Sequence, residues 1–221
     1  MKAMNKMSFA YVCRLFAADL SLMAVCGCSA LWPAATPPPA FYSLDGTRGA
    51  APAAPPAAAP TLVVNPPSAA SGFDSPRIIY VRKDHTLEYF AHSEWVDPPA
   101  RMLAPLLVAA VEDTGAFRAV VLTPGAAAGD LRLDTAIIRL QHEFQTKPSR
   151  VRFTLRACLV DDKTRRVLAT REFEAVVPAA SEDPYGGVVA ANQAVQTVLE
   201  SLSAFCAEAA RRAPRAEGEA H

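Results

Sequence analysis

The 221-residue sequence has no excess of charge of either sign, because its 22 Lys and Arg residues equal its 22 Asp and Glu residues. Proteins that bind nucleic acid usually carry a basic surplus, so this balance argues against nucleic acid as a partner. Long apolar runs are also lacking, since no stretch after the N-terminal region approaches the roughly 20 apolar residues that span a bilayer. The sequence therefore predicts no membrane-spanning helix beyond that region.

Histidine is scarce, with four residues in the chain: His85, His92, His142 and His221. None of them forms the H-x-x-x-H or H-E-x-x-H spacing of a metal site, and the sequence has no G-x-S-x-G nucleophile motif. The stretch GAAAG at 125–129 lacks the Lys and the Ser or Thr that complete a phosphate-binding loop. We therefore expect a non-enzymatic protein that holds no metal and no cofactor.

The N-terminus has the layout of a secretory signal peptide. Its first fourteen residues carry Lys2, Lys6 and Arg14 and no acidic residue, and the eleven residues LFAADLSLMAV at 15–25 are mostly apolar. A basic segment followed by a short apolar one is typical of a signal peptide, and this apolar segment is too short to span a membrane. We interpret residues 1–27 as a signal that is removed from the mature chain.

A lipidation motif ends this signal, because Val25, Cys26, Gly27 and Cys28 have the aliphatic, small, small, cysteine pattern of a bacterial lipobox. Cys26 suits the modified position less well, since Val25 would then occupy the cleavage position, where a small side chain is expected. The sequence therefore predicts Cys28 as the lipidated N-terminus. Several acyl chains on one cysteine anchor a protein stably, whereas a single chain binds only marginally. Ser29 follows Cys28, which resembles the arrangement that sends enterobacterial lipoproteins to the outer membrane.

Residues 28–60 are predicted to be a Pro/Ala-rich linker, whose extreme is AAPAAPPAAAP at 50–60. Proline excludes a helix there and favours an extended chain. A strand-like island at 41–45 interrupts the linker, and we interpret it as an edge strand of the folded domain. That domain is placed at 61–210, followed by a disordered tail at 211–221. After Gly27 the chain has 19 basic and 21 acidic residues, which is still close to neutral.

The domain alternates strands and helices. The first helix has apolar residues at three-four spacing, a predicted N-cap at Asp97, prolines 98 and 99 in its first turn, and Gly115 as its stop. Short alternating or apolar runs predict strands on both sides of it. The predicted strands are 61–65, 77–82, 87–91, 117–122, 131–144, 150–160 and 165–177, and the predicted helices are 97–114 and 184–210.

The strand at 150–160 alternates without interruption, whereas the pattern of 131–144 slips at Ile137 and Ile138, which predicts a bulge. Short connections between the later strands favour an antiparallel meander. Each helix has one apolar face, so the economical packing places both helices on one face of the sheet. The predicted fold class is α+β, a two-layer domain with a mostly antiparallel sheet.

Two features fit either a structural or a partner-binding role. The arginines in the outward phase of 150–160 form a docking face or an ordinary solvated face paired with Glu172 and Glu174 of the next strand; they are Arg150, Arg152 and Arg156, with Arg139 and Arg171 as candidate neighbours. The pattern leaves both interpretations open. Trp95 is either a recognition aromatic or an anchor of the helix entry, and we favour the anchor.

Cys158 and Cys206 would remain beside Cys28 in the mature chain. An oxidising compartment and an even number of thiols favour a disulfide. Their faces argue against one, because Cys158 shares its phase with Arg156, whereas Cys206 lies on the helix that should dock on the opposite face. A disulfide needs Cα atoms within about 7 Å, so we predict two free, poorly reactive thiols.

The segment SPRIIYVRKDHTLEYFAHSEWVDPPARMLAPLLVAAVEDTGAFRAVV at 75–121, preceded by YSLDG at 42–46, resembles the ABC-type transport auxiliary lipoprotein family. The resemblance extends over about residues 40–208, although the Ala/Pro expansion at 49–60 is longer than the family pattern suggests. The matching positions are Pro76, Arg77, Ile78, Tyr80, Arg82, Leu87, Tyr89, Trp95, Pro98, Pro99, Leu103, Leu107, Gly115 and Phe117.

The resemblance implies a periplasmic component that accompanies MCE-domain transporters, which move lipids between the inner and outer membranes. The expected partners are the outer-membrane bilayer, through acylated Cys28, and an MCE-domain protein or other ABC transporter subunits; a homo-oligomer is compatible with this role. The alternative is a lipid- or lipoprotein-binding shuttle. A shuttle would need an apolar cavity of several hundred Å³, whereas a packed two-layer core favours a tether.

Overall fold

Two helices cover one side of a nine-stranded sheet in the computed structural model, which describes residues 38–46, 55–56, 58–125 and 128–212. The predicted signal peptide, Cys28 and the chain beyond residue 212 lie outside the described residues. None of the described helices is long and apolar enough to cross a membrane. The elements are β1 (Ala40–Tyr42), β2 (Thr61–Val64), β3 (Ser68–Ala69), β4 (Arg77–Val81), β5 (Glu88–Trp95), α1 (Pro99–Glu112), β6 (Ala119–Leu122), β7 (Leu131–Glu143), β8 (Arg150–Asp161), β9 (Val167–Pro178) and α2 (Pro184–Arg212).

Strand β7 organises the sheet because both of its edges are paired. Strand β8 runs antiparallel to it along its whole length. Three parallel strands follow one another along the other edge, with β2 at residues 131–133, β3 at 136–137 and β4 at 142–143. The β7–β8 register shifts between Ile137 and Arg139, which confirms the bulge predicted from the slip in the hydrophobic pattern.

The remaining strands widen the sheet in both directions. Strand β9 pairs antiparallel with β8, and β5 pairs antiparallel with β4. Short parallel strands complete the sheet, with β1 beside β5 and β6 beside β2. The sheet is therefore mixed, since its long ladders are antiparallel and its short ones are mostly parallel. The predicted α+β class is confirmed by the two helices and this large sheet.

Helix α1 begins at Pro99, where the missing N–H breaks no intrahelical hydrogen bond. The predicted N-cap at Asp97 is wrong, because Pro98 is the capping residue and no side chain caps the helix. The physical reason is that a residue before proline is kept out of the helical region, so Pro98 stays extended, with a ψ of 136°. Asp97 instead forms an ion pair with Arg101, with 3.4 Å between Oδ1 and Nη1.

The core lies between the helices and the inward face of the sheet. Leu103, Leu107 and Val111 recur every fourth residue on α1 and are fully buried. The alternation predicted for β8 is confirmed, since its inward residues are all buried: Val151, Phe153, Leu155, Ala157 and Leu159. Residues of both helices and of the sheet join in one hydrophobic cluster, so both helices cover the same face.

The folded unit begins earlier in the chain than the domain predicted at 61–210, because it includes the residues from Pro39 onward. Strand β1 overlaps the island at 41–45 and lies at one end of the strand order. Leu44 and Ala59 are each 6% exposed, and Leu44 belongs to the core cluster. Residues on both sides of the Ala/Pro-rich segment are therefore held by the domain.

Candidate functional site

The arginines predicted as a docking face lie on the side of the sheet that the helices leave uncovered, here called the open face. Successive side chains of a strand point to opposite faces, so the outward positions of β8 alternate with its buried inward ones. Residues paired across neighbouring strands share a face. The register therefore brings together Arg150, Arg152 and Arg156 of β8 with Glu143 of β7 and Glu172 and Glu174 of β9.

Glu143 is the centre of this arrangement, although the residue is only 4% exposed. Its Oε2 accepts a hydrogen bond from Nε of Arg150 at 2.9 Å, and its Oε1 accepts one from Nε of Arg152 at 2.8 Å. Nε2 of Gln141 donates a further bond to Oε1 at 2.9 Å. A carboxylate withdrawn from water requires compensation of this kind, and charged donors provide the strongest bonds.

These contacts keep Glu143 ionised. Burial by itself raises the pKa of the carboxyl, but the hydrogen bonds from Arg152, Gln141 and Arg150 outweigh burial and lower the pKa from 4.5 to about 2. The same bond to Glu143 raises the pKa of Arg152. Both groups therefore stay charged at neutral pH, and the contact links β7 and β8.

Arg152 also reaches the next strand, since its Nη1 lies 2.6 Å from Oε1 of Glu174. The other oxygen of Glu174 accepts a hydrogen bond from Oγ1 of Thr154 at 2.9 Å. Further along the strands, Nη2 of Arg156 lies 2.6 Å from Oε1 of Glu172, and both of these side chains are half exposed. Pairing with the two glutamates of β9 was one of the two interpretations that the sequence left open, and the structure contains it.

Intramolecular pairing limits what the open face can bind. An arginine that already holds a carboxylate has fewer free donors for a phosphate or an acidic ligand. Alternating positive and negative groups offer a complementary surface to another protein, and such surfaces set register and specificity more than affinity. The open face is therefore suited to docking a protein.

Two residues considered for this surface lie elsewhere. Trp95, the last residue of β5, is 4% exposed and belongs to the core cluster, so its indole has almost no surface to offer a partner. Arg171 lies opposite Ala157, on the side of the sheet that the helices cover. Its guanidinium is 5.3 Å from the ring centre of Phe173. Neither residue extends the open face.

A groove of about 440 Å³ lies between α1 and α2. Leu106 and Ala109 of α1 and Leu199 and Glu200 of α2 form its walls, and Gly46 borders it. Its volume is within the range of ligand pockets. The groove is open to solvent, however, and the inward Val, Leu and Phe side chains that would line a lipid cavity are packed in the core beneath it.

A buried histidine–serine pair is a feature that the sequence pattern did not reveal. Nε2 of His142 lies 2.8 Å from Oγ of Ser149, and both residues are buried. The backbone N–H of Ser149 donates to Glu182 at 2.8 Å, which ties the β7–β8 connection to the chain before α2. Because no substrate can reach a pair sealed in this way, its role is structural. Among the described residues, no three His, Cys, Asp or Glu side chains could hold a metal ion.

Cys158 and Cys206 are free thiols, as the face argument predicted. Cys158 lies on the open face, where its Sγ accepts a hydrogen bond from Oγ1 of Thr170 at 3.6 Å. Cys206 lies in the core, where burial raises the pKa of its thiol to about 12. The sheet therefore separates the two sulfur atoms.

The family of the chain follows from a family model that matches residues 42–203. The model describes the ABC-type transport auxiliary lipoprotein component. The chain belongs to this family. The match runs from β1 into α2 and so includes the open face and both helices. Membership makes the chain an auxiliary lipoprotein of ABC-type transport, places it in the cell envelope, associates it with ABC transporters and points to a non-catalytic role.

Solved structures with the same fold include protein XCC0632 from Xanthomonas campestris, which is assigned to the DUF330 family. It is 25% identical, with a TM-score of 0.67 over 78% of this chain and 97% of that chain. A second solved structure, that of an uncharacterized protein, is 14% identical to this chain, with a TM-score of 0.58 over 78% of this chain and 98% of that chain. At this identity the similarity concerns the fold and not the function. No curated protein sequence matches the chain significantly.

Proposed function

We propose that the chain is a non-enzymatic, lipid-anchored accessory subunit of an ABC-type system that moves lipids between membranes, where it works with an MCE-domain protein. Acylated Cys28 would hold it at the periplasmic side of the outer membrane, and the folded domain would tether or align the transporter there. Family membership supports the transport role, and the lipobox that ends at Cys28 supports the anchor.

The packing of the domain is the observation that carries this proposal. Leu133, Phe153 and Leu155 are fully buried and belong to one continuous core. A carrier of lipids needs a cavity that its cargo fills, whereas a tether needs a rigid body with a surface for its partner. The open face provides such a surface, because its cross-strand ion pairs hold charged groups of both signs in fixed positions.

Capture of partners from membranes tests the proposal. A tagged full-length chain is cross-linked in intact cells, purified from solubilised membranes and analysed by mass spectrometry. We expect an MCE-domain protein or another ABC transporter subunit to be recovered with it. Recovery of envelope proteins without any transport component would contradict the proposal.

Charge reversal on the open face tests where the partner binds. Arg156 and Glu172 are half exposed and form a surface pair, so exchanging them should change stability by less than about 1 kcal/mol. We expect Arg156→Glu to reduce partner recovery about tenfold, and the combined Arg156→Glu/Glu172→Arg variant to stay equally poor, although its internal ion pair is restored. Full recovery with the combined variant would show that only the internal pair matters.

The shuttle is a second candidate because the groove between α1 and α2 has a volume of about 440 Å³. A shuttle produced as the Cys28→Ser variant, which lacks the anchor, should carry lipid in stoichiometric amounts when it is purified from the soluble fraction. The Ala109→Trp substitution would fill the groove, and Ser201→Trp on the exposed side of α2 is its matched control. Lipid that is present in the control and absent from Ala109→Trp would favour the shuttle, and absence of lipid from both would favour the tether.

A further inference from the structure

Four large apolar side chains are exposed where β1 and β5 form the edge of the sheet. Phe41, Leu87, Tyr89 and Val96 are exposed by 59%, 49%, 51% and 58%, respectively. Single exposed apolar residues are ordinary on a soluble domain, but several at one edge mark a surface that contacts something. We call these four residues and Arg77 the edge patch.

Strand register and one side-chain contact place Phe41, Tyr89 and Arg77 of the edge patch on one side of the sheet. Phe41 lies opposite Glu94, which in turn lies opposite Arg77 of β4. Tyr89 contacts the same arginine, because the guanidinium of Arg77 lies 4.2 Å from the centre of the tyrosine ring. Val96 follows Glu94 by two residues and donates its backbone N–H to Tyr42 of β1, which keeps it beside this strand.

The chemistry of the edge patch is that of a bilayer interface. Tyrosine combines an apolar ring with a polar hydroxyl, and arginine extends an apolar stem with a charged end that reaches water or a headgroup. The contact between Arg77 and Tyr89 therefore presents apolar surface and a cation together. Phe41 and Val96 add apolar surface without charge.

The position of the edge patch agrees with the predicted anchor. The chain enters the sheet at Ala40, which lies opposite Ser93 of β5. Ala40 is the twelfth residue after Cys28, so a fully extended chain between them can reach at most about 40 Å. Acylated Cys28 would thus tether the domain through the chain that leads into this edge of the sheet, whereas β9 lies five strands away in the strand order.

We infer that the edge patch rests on the phospholipid surface in which Cys28 is anchored, and that this contact fixes the orientation of the domain. The inference rests on the proposed acylation of Cys28. Four partly exposed side chains are too few to hold the protein on a membrane without the anchor. The anchor supplies a high effective concentration, and a weak contact then becomes persistent.

Tryptophan quenching by brominated phospholipids tests this contact. The chain from Cys28 to His221 is coupled through Cys28 to a maleimide lipid in vesicles of phosphatidylethanolamine and phosphatidylglycerol, with Cys158→Ser and Trp32→Phe as background substitutions. Tyr89→Trp reports on the edge patch, and Leu168→Trp, at an equally exposed position on β9, is the matched control. We expect brominated lipids to remove about half of the added emission of Tyr89→Trp and to leave that of Leu168→Trp unchanged.

A second reporter position, residue 41, shows whether the quenching of Tyr89→Trp is caused by a local disturbance at residue 89. Phe41→Trp should be quenched like Tyr89→Trp, and adding Phe41→Ser and Val96→Ser to Tyr89→Trp should reduce its quenching at least twofold. Equal quenching at positions 89 and 168, or none at 41 and 89, would overturn the inference. Because Cys28 is coupled to the lipid chemically, the quenching result does not depend on whether cells acylate Cys28. Acylation is tested separately by the mass of the protein purified from cells, and a mass without acyl chains would overturn the anchor.

Discussion

Gly187, in the first turn of α2, lies so close to His142 of β7 that a Cβ built at position 187 would be 2.5 Å from Nδ1 of the imidazole. The helix can approach the sheet this closely because position 187 carries no side chain. Nδ1 is buried and has no hydrogen-bond partner among the described residues, whereas Nε2 faces Ser149. The start of α2 and the imidazole are therefore packed as one unit.

Substitution of Gly187 should reverse the usual effect of alanine in a helix. Gly→Ala within a helix normally stabilises by up to about 1 kcal/mol, but overpacking against His142 costs about 1–3 kcal/mol. We expect Gly187→Ala to lower the free energy of unfolding by about 1–2 kcal/mol in urea titrations. The His142→Ala/Gly187→Ala double variant should be no less stable than His142→Ala, and a stabilised Gly187→Ala protein would refute the close packing.

The carboxylate of Glu143 should make the domain sensitive to acid. Its pKa is about 2 in the folded chain and 4.5 as the reference value. Its contribution to stability is therefore complete above pH 4.5 and is lost as the pH falls towards 2, by about 3 kcal/mol in total. In urea unfolding, Glu143→Gln should cost about this amount at pH 7 and much less at pH 2.5.

The control for Glu143 is Glu172→Gln, which removes a half-exposed ion pair and should cost less than about 1 kcal/mol at either pH. Equal losses for the two variants at pH 7 would show that Glu143 is no more important to the fold than a surface charge.

Cys158 and Cys206 should not be joined by a disulfide. Their reactivity should differ from the uniformly low reactivity predicted from the sequence, because Cys158 is partly exposed and Cys206 is buried. The intact mature chain should have the same mass before and after reduction, because Cys158 and Cys206 lie on opposite sides of the sheet. Cys206, whose pKa is about 12, should resist alkylation until the protein unfolds, whereas Cys158 should react in the native state. A mass gain of two hydrogens on reduction would contradict the placement of α2 on the Phe153 face.

Removal of the predicted anchor should change location without changing the fold. Residue 28 lies eleven residues before Pro39, the first residue of the folded unit. The Cys28→Ser variant should therefore unfold at the same midpoint as the unacylated wild-type domain. The variant should leave the membrane fraction after cell breakage, whereas the wild type should sediment with outer-membrane markers. A Cys28→Ser protein that still sediments after a salt wash would show that another contact holds it.

Elements with a regular local pattern could be predicted from the sequence. The predicted alternation of β8 and the predicted start of α2 at residue 184 agree with the structure. Both could be predicted because a period-two pattern and an amphipathic stripe are local signals. The pairing of β7 with three separate parallel strands could not be predicted, since it joins segments more than sixty residues apart and leaves no local pattern. The role of Leu44 and Ala59 was hidden for the same reason.

The candidate site could be predicted in part. The outward phase of β8 predicted the three arginines and their glutamate neighbours on β9, and the structure pairs Arg152 and Arg156 with those glutamates, whereas Arg150 pairs with Glu143 of β7. Glu143 was missed because the bulge at Ile137–Arg139 shifts the phase of β7, so that its face could not be assigned without the register. Exposure of Phe41 and Tyr89 was also beyond the sequence, because apolar residues in a strand usually indicate a buried face.

The division of one edge of β7 among β2, β3 and β4 gives the two halves of the sheet unequal tolerance to changes in chain length. Each short strand finds its own register on a separate stretch of β7, so an insertion in the connections at 65–67 or 70–76 displaces no other ladder. In the β8–β9 hairpin, where both strands have twelve residues, a slip of β9 by one residue would turn Glu172 and Glu174 towards the helices and away from their arginines on β8. The first half of the domain can therefore vary in length during evolution, while the hairpin must keep its frame.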